Sequence, residues 1–294
     1  MISHMSVALY FTQLKVVHQH YKICLHKNLL LMADAKQQVH IILVHGACHG
    51  AWCWYKLKPL LEEAGHRVTA LDLAAAGIDR RSLEELHTFA DYSQPLLELM
   101  ASIPPEEKVV LVGHSLGGMN LAFAMDMYPE KIKVAVFIAA AMPDSIHKPS
   151  YVLDQSVGMK SAEDWVDTKF IPFSSSEENL TSVHLGPNFI SSKLYNLCSP
   201  EDVALANMLV RPCCLFLQDL SSKSAFSKEG FGSVKRVFIV CPEDKTIPLN
   251  FQRWQIETIG ADQVKEIENA DHMPMFSKPR ELCHSLLEIA NYYV

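Results

Sequence analysis

The chain has 294 residues, of which 49% are apolar and 20% charged. That suits one large α/β domain or two small ones and argues against a disordered body. A formal net charge of −7 leaves no basic footprint for nucleic acid or an anionic membrane surface, and no run reaches the roughly 18 apolar residues of a membrane span.

The first 33 residues contain no Asp, Glu or Arg but carry His4, His18, His20 and His26. They lack the compact apolar stretch and small-residue cleavage site of a secretory signal. Residues 1–38 are therefore read as a disordered or non-native extension, with Met32 a candidate start, and the protein as cytoplasmic. Asn179-Leu180-Thr181 matches a glycosylation sequon, silent in a chain without a secretory signal.

From Val39 onward, short apolar runs alternate with helical stretches. Val39 to Val44, Val68 to Leu73, Val109 to Val112, Val134 to Ala140, Val237 to Val240 and Val264 to Ile267 read as buried parallel strands. Pro59 to Ala64 reads as a helix closed by Gly65. Leu83 to Ser102 reads as one helix despite Pro95, Leu116 to Met127 as a helix stopped by Pro129, and Pro279 to Tyr292 as the last helix. The alternation predicts a mostly parallel, doubly wound sheet with helices on both faces. Residues 142–215 break the rhythm. They show helix-like segments and no convincing strand, yet Trp165, Phe170, Phe189 and Tyr195 make them too apolar for disorder. They are read as a helical cap, inserted after the strand ending near Ala140, over the sheet edge where ligands bind. Residues 39–141 and 216–294 then form the core. None of the eight cysteines has C-x-x-C or zinc spacing, so they are read as reduced and mostly buried, and no metal site is expected.

Gly113-His114-Ser115-Leu116-Gly117-Gly118 fits G-x-S-x-G between a strand and a helix. The sharp turn strains Ser115 and lifts its hydroxyl to the tip, and side chains at 113 and 117 would strike backbone. The pattern resembles the nucleophile turn of an α/β-hydrolase fold, which is the fold expected here. A serine hydroxyl needs a base to take its proton. In this fold the acid follows the serine and the histidine comes last. His272, in a loop after the last strand run, fits best. His184 falls in the cap, and His284 sits inside the last helix, where a packed or exposed ring needs no function. Asp244, after Val237 to Val240, is the candidate acid, with Glu243 second. Asp271, adjacent to His272, reads as a loop cap. Oxyanion donors fall to the backbone N–H groups of Ala47 and Leu116, and His45 reads as a brace for its loop.

Val44-His45-Gly46-Ala47-Cys48-His49-Gly50, the Gly113 to Met119 motif, Ser199-Pro200-Glu201-Asp202, Glu243-Asp244-Lys245 and Ala270-Asp271-His272-Met273 resemble the plant methylesterase family of α/β-hydrolases. That family includes salicylate and jasmonate methyl esterases, polyneuridine aldehyde esterase and the hydroxynitrile lyases. The likeness runs from about residue 39 to the C-terminus. It implies hydrolysis of methyl esters of small plant metabolites (jasmonate-, salicylate- or indole-acetate-like acids, or an alkaloid ester) with no cofactor and no metal. It also suggests a homodimer. By the same likeness Gly46, Ala141, Trp165, Phe170, Leu215 and Met273 fall at substrate-lining positions. Lyases of the family place Thr at the position of Gly46 and Lys at that of Met273, so this chain is expected to be an esterase. Ala141 and Ser156 replace aromatic residues of the salicylate esterase, which implies a wider pocket and a bulkier acid. A hydroxynitrile lyase and a non-catalytic hormone-binding protein are the remaining alternatives.

Overall fold

The computed structural model describes residues 38–173 and 180–293, and the compact unit they build begins at Val39. The expectations for residues 1–37, including Met32 and Cys24, and for Asn179 lie outside the described residues. The chain enters through β1 (His40–Val44), followed by α1 (Leu57–Glu63), β2 (Arg67–Leu71), α2 (Phe89–Ser102), β3 (Val109–His114), α3 (Gly117–Met127) and β4 (Ile132–Ile138). The insertion holds α4 (Tyr151–Gly158), β5 (Lys169–Pro172), β6 (Thr181–His184), α5 (Pro200–Leu209) and β7 (Cys213–Cys214). The core resumes with α6 (Leu217–Ser222), β8 (Arg236–Val240), α7 (Leu249–Ile259), β9 (Gln263–Glu266) and α8 (Pro279–Tyr293).

Six strands form one sheet in the order β2-β1-β3-β4-β8-β9, with every neighbouring pair parallel. Both faces of the central strands are covered. β1 and β3 are buried along their whole length, which is why they read as unbroken apolar runs. Side chains alternate across a strand, and this divides the core in two. Ile42, Val44, Leu111 and Phe137 pack with Phe89, Leu96 and Leu121 of α2 and α3. Ile41, Leu43, Val110 and Val136 pack with Leu57, Leu61, Leu282 and Leu286 of α1 and α8.

Three expectations need correction. Val264 to Ile267 is not a buried strand: β9 stands at the sheet edge with half-buried and exposed residues in alternation. Leu83 to Ser102 is not one helix: a single turn at Leu83–Glu85 ends in extended backbone at Leu86, and α2 starts afresh after Thr88. The Thr88 hydroxyl accepts from Asp91 N at 3.1 Å while the Asp91 carboxylate accepts from Thr88 N at 2.9 Å, a reciprocal cap that defines a new helix start. The insertion is not purely helical either. β5, β6 and β7 form an antiparallel sheet. Its strands are four, four and two residues long, too short to show a period of two.

The chain passes from β1 outward to β2 and returns to β3 on the other side of β1. This reversal opens a crevice at the carboxyl ends of β1 and β3, where open α/β sheets bind ligands. The Gly46 loop and the Ser115 turn both lie there.

Candidate active site

Ser115 follows β3 directly and has φ +53°, a left-handed conformation unfavourable for a residue with a side chain. The turn is held from both sides: Ser115 N donates to Ile138 O at 3.2 Å, and Ser115 O accepts from Ala141 N at 3.0 Å and Gly118 N at 3.1 Å. A Cβ on Gly117 would lie 2.7 Å from the carbonyl oxygens of Val44 and His45, and one on Gly113 would lie 2.9 Å from Gly117 O. The two glycines therefore let β1, β3 and α3 close on one another, as their spacing predicts. Gly46 faces the turn from the other side, where a Cβ would stand 2.8 Å from Ser115 Cβ.

His272 and Asp244 come together from two loops 28 residues apart, with Nδ1 and Oδ2 at 2.7 Å. Both are buried. The second carboxylate oxygen of Asp244 accepts from Thr246 N at 2.7 Å and Ile247 N at 2.8 Å. Gln252, on α7, fastens the same loop by donating to Cys241 O and Ile247 O and accepting from Cys241 N. Since Nδ1 faces the carboxylate, it carries a proton, and Nε2 is the nitrogen left for a substrate or for Ser115. Ser115 and His272 line the same cavity without a hydrogen bond between them among the described residues. Contacts of this kind are often long before substrate arrives. Among the described residues Glu243 is held through its backbone alone, its N donating to Ala270 O and its O accepting from Asn196 Nδ2. Asp271 is a loop tie: it accepts from Leu197 N, Met273 N and Ser277 Oγ. His184 is bound to Ser182 within the insertion and His284 to Glu288 on α8.

The oxyanion candidates, Ala47 and Leu116, both line this cavity, and among the described residues neither N–H meets an acceptor. Two buried histidines brace the Ala47 loop. His45 donates from Nδ1 to Gly46 O at 2.8 Å and accepts at Nε2 from Leu73 N at 3.0 Å. His49 donates to Ala47 O at 2.8 Å and accepts from the Tyr195 hydroxyl at 2.8 Å. Burial lowers both below the usual imidazole range, His49 to about 4, so both rings are neutral. His114 supports the other side. It donates from Nε2 to His272 O at 2.7 Å, and burial, then the neighbouring His272, keeps it well below the ordinary value. Sequence reasoning gave His49 and His114 no role. The available signal was their position inside the two glycine motifs.

The cavity encloses about 120 Å³. Of the substrate-lining positions, Gly46, Ala141, Trp165 and Leu215 line it, as does Ser156, together with Val183 and Phe189 of the insertion. Phe170 and Met273 do not. Phe170 lies on the exposed strand β5, edge-on to Trp165 at 5.0 Å, and borders an adjoining hollow that shares Val157, Trp165, Val183 and Leu215 with the cavity. Met273 is fully buried among Met275, Phe276 and Ile267, because the turn after His272 points its side chain into the core. Seven cysteines are described as free thiols, six buried and Cys198 half-buried. Among the described residues no group of His, Cys, Asp and Glu could hold a metal ion, and no helix is long and apolar enough to cross a membrane.

A strained serine at a strand–helix turn, a carboxylate-held imidazole and two free N–H groups beside one apolar cavity can support acyl transfer. The α/β hydrolase family model matches residues 41–284. The chain is 62% identical over 258 residues to salicylic acid-binding protein 2 of Nicotiana tabacum, covering 88% of this chain and 99% of that protein. It is 53% identical over 264 residues to methylesterase 1 of Arabidopsis thaliana, covering 90% and 100%. The crystal structure of polyneuridine aldehyde esterase matches with a TM-score of 0.85 at 56% identity, over 86% of this chain and 100% of that one. Agreement of this depth along nearly the full length of each relative, on the sheet order and serine turn described above, makes this chain a member of the α/β hydrolase family.

Proposed function

We propose that this protein is a serine carboxylesterase that cleaves methyl esters of small plant metabolites. The observation that carries the reading is the His272 ring, fixed at Nδ1 by Asp244 at 2.7 Å in the cavity that Ser115 enters. Ser115 Oγ attacks the ester carbonyl as its proton passes to His272 Nε2. The N–H groups of Ala47 and Leu116 receive the negative charge that develops on the carbonyl oxygen. One such donor is worth roughly 100- to 1,000-fold in turnover. Protonated His272, stabilised by Asp244, gives the proton to the leaving methoxide, and methanol departs. Water, deprotonated by the same ring, then attacks the acyl-enzyme and releases the free acid.

The insertion serves as the cap that dries this chemistry, with core segments 39–141 and 216–294 on either side. Ala141 and Ser156 put small side chains where aromatic ones would narrow the cavity, which favours a bulky acid, jasmonate-like or an alkaloid ester. Cyanohydrin lysis is disfavoured, because Gly46 brings no hydroxyl and Met273 presents no polar group to the cavity. The enzyme is further read as cytoplasmic and dimeric. The decisive experiment is product analysis on a panel of methyl esters, with Ser115→Ala as control. Wild type should release methanol and free acid, and the variant should lose at least about 10⁴-fold in kcat. Binding without turnover in wild type would make this a hormone-binding protein instead. A strong preference for methyl salicylate over methyl jasmonate would refute the bulky acid and leave the esterase.

A further inference from the structure

The chemistry above leaves the one lysine of the cavity wall unused. The walls are apolar nearly throughout, yet Lys160, just beyond α4, lines them. Its ammonium sits 4.4 Å from the centroid of the Trp165 ring, and Trp165 lines the same cavity. Among the described residues no carboxylate lies within ion-pair distance of Lys160. The charges it feels are Asp244 and Asp164, opposed by Lys193, and both Asp164 and Lys245 stand with it along the groove outside. Loss of water around the ammonium lowers it to about 8, so it remains mostly charged at neutral pH.

A cation kept at the wall of an apolar cavity has given up hydration without gaining a counter-ion. The aromatic face beneath it compensates in part, and an arriving anion would supply the rest. Ser156 and Thr246 accompany Lys160 both in the cavity and in the groove outside it, so this corner forms a polar edge on an otherwise greasy chamber. A lysine that merely lays its stem on Trp165 to reach solvent would look similar but would confer no selectivity. The two accounts therefore part on substrate preference.

We propose that Lys160 is a specificity residue that receives a carboxylate carried by the acid part of the substrate, so that the enzyme prefers methyl half-esters of dicarboxylic acids to neutral methyl esters of the same length. This rests on the esterase reading. The test compares monomethyl glutarate, adipate, pimelate and suberate with methyl alkanoates of matched length, using wild type, Lys160→Met and Lys160→Arg. In wild type the best half-ester should exceed its neutral match in kcat/KM. In Lys160→Met that ratio should fall about 30-fold or more, the usual consequence of removing one partner of a desolvated charge pair, and the change should lie in KM. Lys160→Arg should keep most of the ratio. Because both substrates are measured on one preparation, partial misfolding of a variant cancels. An unchanged ratio in Lys160→Met, or hydrolysis of neutral esters but of no half-ester, overturns the proposal and leaves the esterase standing. Wild type inert on both classes overturns this proposal, and wild type inert on the wider panel of methyl esters overturns the esterase reading with it.

Discussion

Replacing Asp244 by Asn exchanges one carboxylate oxygen for an NH2 group and turns the His272 ring chemistry over. One oxygen of Asp244 accepts from Thr246 N at 2.7 Å and Ile247 N at 2.8 Å. That corner must stay an oxygen, since an amide NH2 would face two donors. The new NH2 group therefore falls where Oδ2 now meets His272 Nδ1 at 2.7 Å. Two donors cannot share that contact, so the ring must offer Nδ1 as acceptor and keep its proton on Nε2. In that tautomer Nε2 cannot take the Ser115 proton. The expected loss is about 10⁴-fold in kcat, equivalent to about 5 kcal/mol of barrier. Three hydrogen bonds survive, so the cost in stability should stay under about 1 kcal/mol. Steady-state hydrolysis of p-nitrophenyl acetate and a thermal melt, beside Asp244→Ala, separate the two effects. A variant that keeps more than about a tenth of wild-type kcat, against the expected four decades, would refute this account of ring orientation.

Two further outcomes follow from the loop after β1. Gly46→Ala would place a Cβ 2.8 Å from Ser115 Cβ and 3.1 Å from His114 Nδ1. The loop must then retreat and carry the Ala47 N–H with it. Turnover should drop about 100-fold, and a wild-type kcat would show that this loop does not set the oxyanion donor. His49 is neutral in the fold, with its pKa lowered by burial to about 4 from 6.5, so the unfolded chain takes a proton first as pH falls. Its contribution is complete above pH 6.5 and is lost on the way down to about 4, amounting to about 2 kcal/mol by pH 5. Urea unfolding at neutral and mildly acid pH should therefore show His49→Phe less stable at neutrality, with a shallower acid loss. Parallel pH slopes for the two proteins would contradict this.

The parts of this protein legible in its sequence are those decided by local chemistry. A strand buried on both faces must be apolar along its length, so β1, β3 and β4 announce themselves. Gly113 and Gly117 flank Ser115 because neighbouring backbone leaves no room for a Cβ. The missed pieces carry weaker signals. α7 needed its punctuation read, Pro248 before it and Gly260 after it. β5 to β7 are too short to show alternation.

Chain order and loop position after a strand brought Ser115, Asp244 and His272 forward as candidates, since a parallel sheet delivers every such loop to the same edge. Which way a side chain turns at that edge was settled only in three dimensions. Met273 adjoins His272 yet is sealed in the core, Phe170 borders the adjoining hollow rather than the cavity, and Lys160 stands at the cavity wall. These outcomes depend on backbone direction and on neighbours distant in sequence, and no local pattern of residues encodes either.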